Sequence, residues 1–174
     1  MRGESTLKST PTVCLLVALC AAIAGTAGCA RYRIASDLAN YVNNGILAIA
    51  DLEAEALAAY AAVVGENYTT DLAVYEALQY QVVPRYGQFL TALKRIQPET
   101  HDVRRLHGLY VRGAEAVLAG FKTKRRGLAI GSAALVLDGN ASIERGRQET
   151  ERWRTQLYAY FRKYNVIYKK GNNA

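Results

Sequence analysis

Residues 72–96 read LAVYEALQYQVVPRYGQFLTALKRI. Leu72, Tyr75, Gln79, Val82, Tyr86, Phe89, Leu93 and Ile96 alternate spacings of three and four, the repeat that lines side chains along one face of an α-helix. Pro84 falls inside this stripe, where its ring removes one backbone hydrogen bond and crowds the preceding turn, so a kink is expected near Gln81 to Pro84. Because the stripe keeps its phase across the proline, the pattern predicts one bent helix and not two. A polar break at Gly65-Glu66-Asn67 precedes it, with Thr69 or Thr70 as its cap. Gln97-Pro98-Glu99-Thr100 follows it, and Thr100 is placed to cap the next helix.

The same repeat extends in both directions. Upstream, Leu38, Val42, Gly45, Ile49, Leu52, Ala56, Ala59 and Val63 form one stripe, with Ser36 and Asp37 at its expected start. Downstream, Val103, Leu106, Tyr110, Val117 and Phe121 mark a third helix, expected to continue through LAIGSAALVL to a turn at Asp138-Gly139-Asn140. Ile143, Thr150, Trp153, Leu157, Tyr160, Tyr164 and Ile167 mark a fourth, capped by Asn140 or Ser142. No segment of useful length has the period of a strand. The expectation is an all-α chain: an antiparallel four-helix up-down-up-down bundle over residues 36–168, with a flexible tail at 169–174.

Glycine adds one detail. Gly113, Gly120, Gly127 and Ala134 recur every seven residues on the third helix, although each glycine costs a helix about 1 kcal/mol against alanine. A seam of small residues against a bulky neighbour such as the aromatic fourth helix would offset that cost. A binding groove or hinge is the other reading.

The N-terminus is a separate element. No charge occurs between Lys8 and Arg31, whereas charges recur along the rest of the chain. Arg2 and Lys8 followed by the apolar run VCLLVALCAAIAG and small residues have the parts of an export signal over residues 1–28. Ala27-Gly28-Cys29 resembles the lipobox of bacterial prolipoproteins, with Thr26 where that motif usually has an aliphatic residue. The resemblance covers the signal region alone. It implies that Cys29 receives diacylglycerol and further acylation, becomes the first mature residue, and is followed by a lipid-anchored linker at 29–35. With Ala30 and not Asp in the second mature position, it also implies the outer membrane. Ordinary secretion after Ala22-Ile23-Ala24, and retention of the segment as an anchor, are the alternatives.

Cysteine usage fits export with lipidation. Cys14 and Cys20 lie in the apolar run, so a chain beginning at Cys29 has no possible internal disulfide. A lone free thiol would be a liability in an oxidising compartment, and acylation removes it.

At 174 residues, with 51% hydrophobic and 21% charged composition, the chain is long enough to bury a core. Its charge is uneven. Residues 30–97 hold five basic and seven acidic side chains, and residues 98–174 hold fifteen and seven. A helical hairpin turning near Gly139 would bring Lys122, Lys124, Arg125 and Arg126 level with Arg152 and Arg154, making a basic band that attracts polyanions. Without aromatic and basic interleaving on a sheet, nucleic acid is a poor partner. Anionic lipid, lipopolysaccharide, peptidoglycan or an acidic protein suits an envelope location better. Glu144, Glu149 and Glu151 could instead pair with the band and leave it a solvated face.

Catalytic and cofactor patterns are not found. His101 and His107 lie six apart and on different faces of a helix, unsuited to one metal, and neither belongs to a Glu-x-x-His pair. There is no Cys-x-x-Cys-His, and the only methionine is Met1, which removes the usual haem ligands. Glu53 and Glu55 point about 200° apart on a helix and form no acid and base pair. The expectation is therefore a cell-envelope lipoprotein in a structural or binding role, without metal or cofactor. The alternatives are a hydrolase-like envelope enzyme, which convergent carboxylates or histidines in a polar pocket would mark, and a secreted helical binding protein without lipid.

Overall fold

Pro84 widens its helix instead of breaking it. In the computed structural model, which describes residues 29–167, one continuous helix (α2) comprises Asp71–Ala77, a π-helical turn at Leu78–Val82, and Val83–Arg95. The wide turn ends two residues before Pro84, which lacks a backbone N–H, and it absorbs one extra residue. The extra residue shifts the buried face. Val82, Tyr86, Phe89 and Leu93 are buried as the stripe predicts, but before the π turn the buried residues are Val74, Ala77 and Leu78, while Leu72 is exposed.

The first helix (α1) runs through residues 29–61, with a second π-helical turn at Tyr41–Ile46. Leu38, Tyr41, Ile46, Ala56 and Tyr60 are buried, whereas Val42, Ile49, Leu52 and Val63 are half-buried. Ser36 and Asp37 do not start it. The helix already includes 29–35, the span expected as a linker, and Asp37 serves another helix. The expected signal segment, with Ala27 and Gly28, and Tyr168 with the tail lie outside the described residues.

The third helix (α3) is His101–Ala129 and the fourth (α4) is Ala133–Tyr164. The Thr70 and Thr100 hydroxyls accept from the backbone N–H groups of Ala73 and Val103, so Thr100 caps α3 as expected and Thr70, not Thr69, caps α2. The expected turn at Asp138-Gly139-Asn140 is incorrect. The chain turns at Ile130–Ser132, where Gly131 has φ of +66° and the Ser132 hydroxyl caps α4. Asn140 and Ser142 cap nothing; they lie inside α4.

Gly139 is buried in α4 because α3 and α4 touch backbone to backbone. A Cβ at Gly120 would lie 2.7 Å from the Gly139 carbonyl oxygen, and one at Gly146 would lie 2.6 Å from the Gly113 carbonyl oxygen. Gly127 meets Val136, so the pairing runs antiparallel. The seam is mixed: Gly113 and Gly120 face Gly146 and Gly139 and also meet Thr150 and Ile143, Gly127 packs against Leu135 and Val136, and Ala134 lies exposed beyond the turn. The Ser142 hydroxyl donates to the Ala116 carbonyl across this seam at 3.0 Å.

The remaining surfaces of α3 and α4 meet α1 and α2 in one core. Val103, Leu106, Tyr110, Val117 and Phe121 are buried as expected, and so are Ile143, Trp153, Leu157 and Tyr164. Trp153 stacks on Tyr110 with ring centroids 4.1 Å apart and donates its indole N–H to the Tyr41 hydroxyl. Ile167 is 97% exposed, because α4 ends at Tyr164 and Asn165 takes a left-handed conformation. The protein is all-α, with four helices and no strand among the described residues.

Candidate functional site

The position of the α3–α4 turn decides what the basic residues can do together. With the turn at Ile130–Ser132, Lys124 faces Gly139, whereas Gly113 faces Gly146 and Thr150. Arg152 and Arg154 therefore sit beyond that second crossing, about 20 Å along α4 from the Lys124 level at 1.5 Å per residue. The six residues do not form one band. Arg152 pairs with Glu149 and Arg154 with Glu151, each at 2.6 Å, so both are neutralised locally.

Lys124 is also committed elsewhere. Its Nζ donates to the Tyr60 hydroxyl at 2.9 Å and lies 5.3 Å from the Tyr60 ring centroid, which makes it a packing residue between α1 and α3. Lys122, Arg125 and Arg126 remain. They line a cleft of about 500 Å³ with Tyr75 and Gln79 of α2, and none of the three has a carboxylate partner among the described residues. Leu72 lies one turn before Tyr75 on the same face of α2, and Ile130 begins the turn that follows α3. Both are exposed, at 64% and 63%.

Cys29 is exposed at the start of α1. The Arg31 guanidinium donates to the Lys163 carbonyl at 2.9 Å, so this end of α1 lies beside the C-terminal end of α4. The basic cleft is at the opposite end of the α3–α4 pair, roughly 40 Å away along the helix axis.

A second cleft, of about 690 Å³, opens between α1, α2, α3 and α4. Glu53 of α1 forms its inner wall. Its carboxylate accepts hydrogen bonds from the hydroxyls of Tyr110 and, at 3.5 Å, Tyr86. Burial raises the Glu53 pKa, and the tyrosine hydrogen bonds only partly oppose that shift. Tyr86 and Tyr110 are themselves raised, chiefly by burial and then by the Glu53 charge. Leu57 and Val117 supply apolar wall, and α4 supplies the mouth. There Gln148 donates to Glu144 and Arg154 holds Glu151, while Arg147 has no carboxylate partner among the described residues.

Neither Glu53 nor Arg147 stands out in the sequence as a site residue, yet a signal for each exists. Glu53 interrupts the buried line Ile46, Ala56 and Tyr60 at helical spacing, and Arg147 fills the seven-residue gap between Ile143 and Thr150 in the α4 stripe. Glu55 is exposed, away from this cleft. His107 is half-buried, packs edge-on against Tyr41, and has its Nδ1 3.4 Å from the Tyr41 hydroxyl. Burial lowers its pKa. His101 is exposed beside Asp102.

Among the described residues, no group of three or more His, Cys, Asp or Glu side chains could hold a metal ion. No helix in that span is long and apolar enough to cross a membrane. No protein-family model matches the chain, and no curated protein or solved structure matches it either.

Proposed function

We propose that this chain is a cell-envelope lipoprotein, acylated on Cys29 and held in the outer membrane, whose four helices form an antiparallel up-down-up-down bundle that binds an anionic lipid surface. The observation that carries the binding role is the cleft of Lys122, Arg125 and Arg126. The three cations line it together, with no carboxylate partner among the described residues, and Leu72 and Ile130, within about one helical turn of lining residues along the chain, are exposed. Cations attract headgroup phosphates over about a Debye length, and exposed apolar side chains gain by entering the interface. The lipobox-like Ala27-Gly28-Cys29 after an apolar run supports the anchor. Because Cys29 and the cleft lie at opposite ends of the α3–α4 pair, each contact can be tested without the other.

Intact mass spectrometry of the membrane-extracted protein tests the anchor: a diacylglyceryl mass on a chain beginning at Cys29 is expected, and an unmodified chain beginning at Gly25 overturns it. Vesicle flotation tests the cleft, using the soluble chain 30–174. Anionic vesicles should bind it and lose it steeply as salt rises, and neutral vesicles should not. Retention on isolated peptidoglycan but not on anionic vesicles would transfer the cleft to a cell-wall partner.

A further inference from the structure

From the second cleft, we infer a binding site for a small zwitterion, a short peptide that presents its N-terminal ammonium to Glu53 and its C-terminal carboxylate to Arg147. This site is separate from the basic cleft and does not depend on the lipid-surface reading. Its volume of about 690 Å³ falls within the range that holds small organic ligands, roughly 300–1,000 Å³. The choice of ligand follows from which charges around the cleft are already satisfied.

Arg152 is bound to Glu149 and Glu151 to Arg154, and Glu144 accepts from Gln148. Gln148 is neutral and orients Glu144 without removing its charge, so Glu53 within the cleft and Arg147 and Glu144 at its mouth are left without an ion pair among the described residues. Glu53 lies inside, its carboxylate hydrogen-bonded only to tyrosyl hydroxyls, which orient it without neutralising it. Arg147 stands at the α4 edge without a carboxylate. It is near enough to Tyr86 for its charge to act on that hydroxyl, yet no ion pair joins it to Glu53.

Glu53 on α1 and Arg147 on α4 face the same cleft with no ion pair between them, an arrangement complementary to a molecule that carries opposite charges at its two ends. A simple amine would leave Arg147 unanswered, and a simple acid would leave Glu53 facing carboxylate. Leu57 and Val117 give the intervening chain an apolar surface. The rigid aromatic support around Tyr110, stacked on Trp153, holds the Glu53 carboxylate in place before the ligand arrives.

The test is isothermal titration of the purified protein with three probes: alanyl-alanine, its C-terminal amide and its N-acetyl derivative. Alanyl-alanine should bind, and each blocked form should bind about tenfold weaker or less, as loss of one charge-assisted contact implies. Glu53→Gln should erase the preference for a free amine while keeping that for a free carboxylate, and Arg147→Gln should do the reverse. Equal binding of all three probes, or no heat from any of them at millimolar concentration, overturns the proposal. If Glu53→Gln does not fold, the three probes on the unaltered protein decide the question alone. Loss of vesicle binding in the Lys122, Arg125 and Arg126 variant with unchanged alanyl-alanine titration would show the two sites to be independent.

Discussion

Asp37 of α1 closes the N-terminus of α3 through Thr100. Its Oδ2 accepts from the Thr100 N–H at 2.8 Å and from the Thr100 hydroxyl at 2.6 Å, while Oδ1 accepts from the Glu99 N–H at 3.0 Å. The same hydroxyl oxygen accepts from the Val103 N–H, so the cap is relayed from one helix to another. A carboxylate here also meets the positive end of the α3 dipole. Asp37 is 5% exposed, and Asp37→Ala would leave the Glu99 and Thr100 N–H groups without their carboxylate acceptor. Urea denaturation should show a loss of about 1–3 kcal/mol, with Asp37→Asn losing less because one acceptor oxygen survives. An unchanged midpoint for Asp37→Ala would mean that water replaces the carboxylate.

The glycines of α3 and α4 separate packing from propensity. Gly120→Ala places a Cβ 2.7 Å from the Gly139 carbonyl oxygen and from Ile143, contacts that only movement of the helices apart can relieve. Overpacking of this kind costs about 1–3 kcal/mol. Gly87, inside α2, has nothing within 4 Å of its would-be Cβ. Gly87→Ala should therefore stabilise by about 0.5–1 kcal/mol through helix propensity. Opposite shifts in melting temperature are expected for the two variants. The same sign for both would contradict the close crossing.

These glycines also show how far the pattern in the sequence reaches. Helix number, the Thr70 and Thr100 caps and most of the α3 core follow from spacings of three and four, because those spacings reflect straight α-helices. The face of α2 before Leu78 does not follow. A π turn inserts one residue without any change in composition, so Leu72 falls outside the core and Val74 inside it. Gly139 misleads for a related reason: Asp138-Gly139-Asn140 has turn chemistry, yet Gly139 is needed for lack of a side chain, not for a positive φ. That one displacement of the turn divides the predicted basic band. Glu53 and Arg147 are legible as charges on buried lines, but the cleft between them depends on three other helices.

Glu53 sets a pH dependence whose sign is fixed by burial. Its folded-state pKa lies above the ordinary glutamate value of about 4.3. Its contribution to stability is fully present below that ordinary value and is lost as the pH rises through the folded pKa, because the native state then holds a buried carboxylate. Glu53→Gln keeps an acceptor for Tyr110 and cannot ionise. The melting temperature of the variant minus that of the unaltered protein should increase from pH 4 upward and level off once Glu53 is ionised. A difference that shrinks with pH would indicate that Arg147 neutralises Glu53 in the unliganded protein.

Lys124 should behave unlike the basic residues on either side of it. Lys122, Arg125 and Arg126 have no carboxylate partner among the described residues to lose, so changing each to Gln should alter stability by less than about 0.5 kcal/mol. Lys124→Gln gives up the hydrogen bond to Tyr60 and the ammonium above its ring, and should cost about 0.5–2 kcal/mol. Binding should follow the opposite order. The triple change at 122, 125 and 126 should abolish flotation with anionic vesicles at low salt, and Lys124→Gln should leave it intact, because that ammonium is turned inward to Tyr60. Chemical denaturation of the single variants, and flotation of the triple variant and Lys124→Gln, each against the unaltered protein, check both halves. If Lys124→Gln loses vesicle binding while its stability is unchanged, its ammonium leaves Tyr60 to face the membrane, and the cleft must be redrawn to include it.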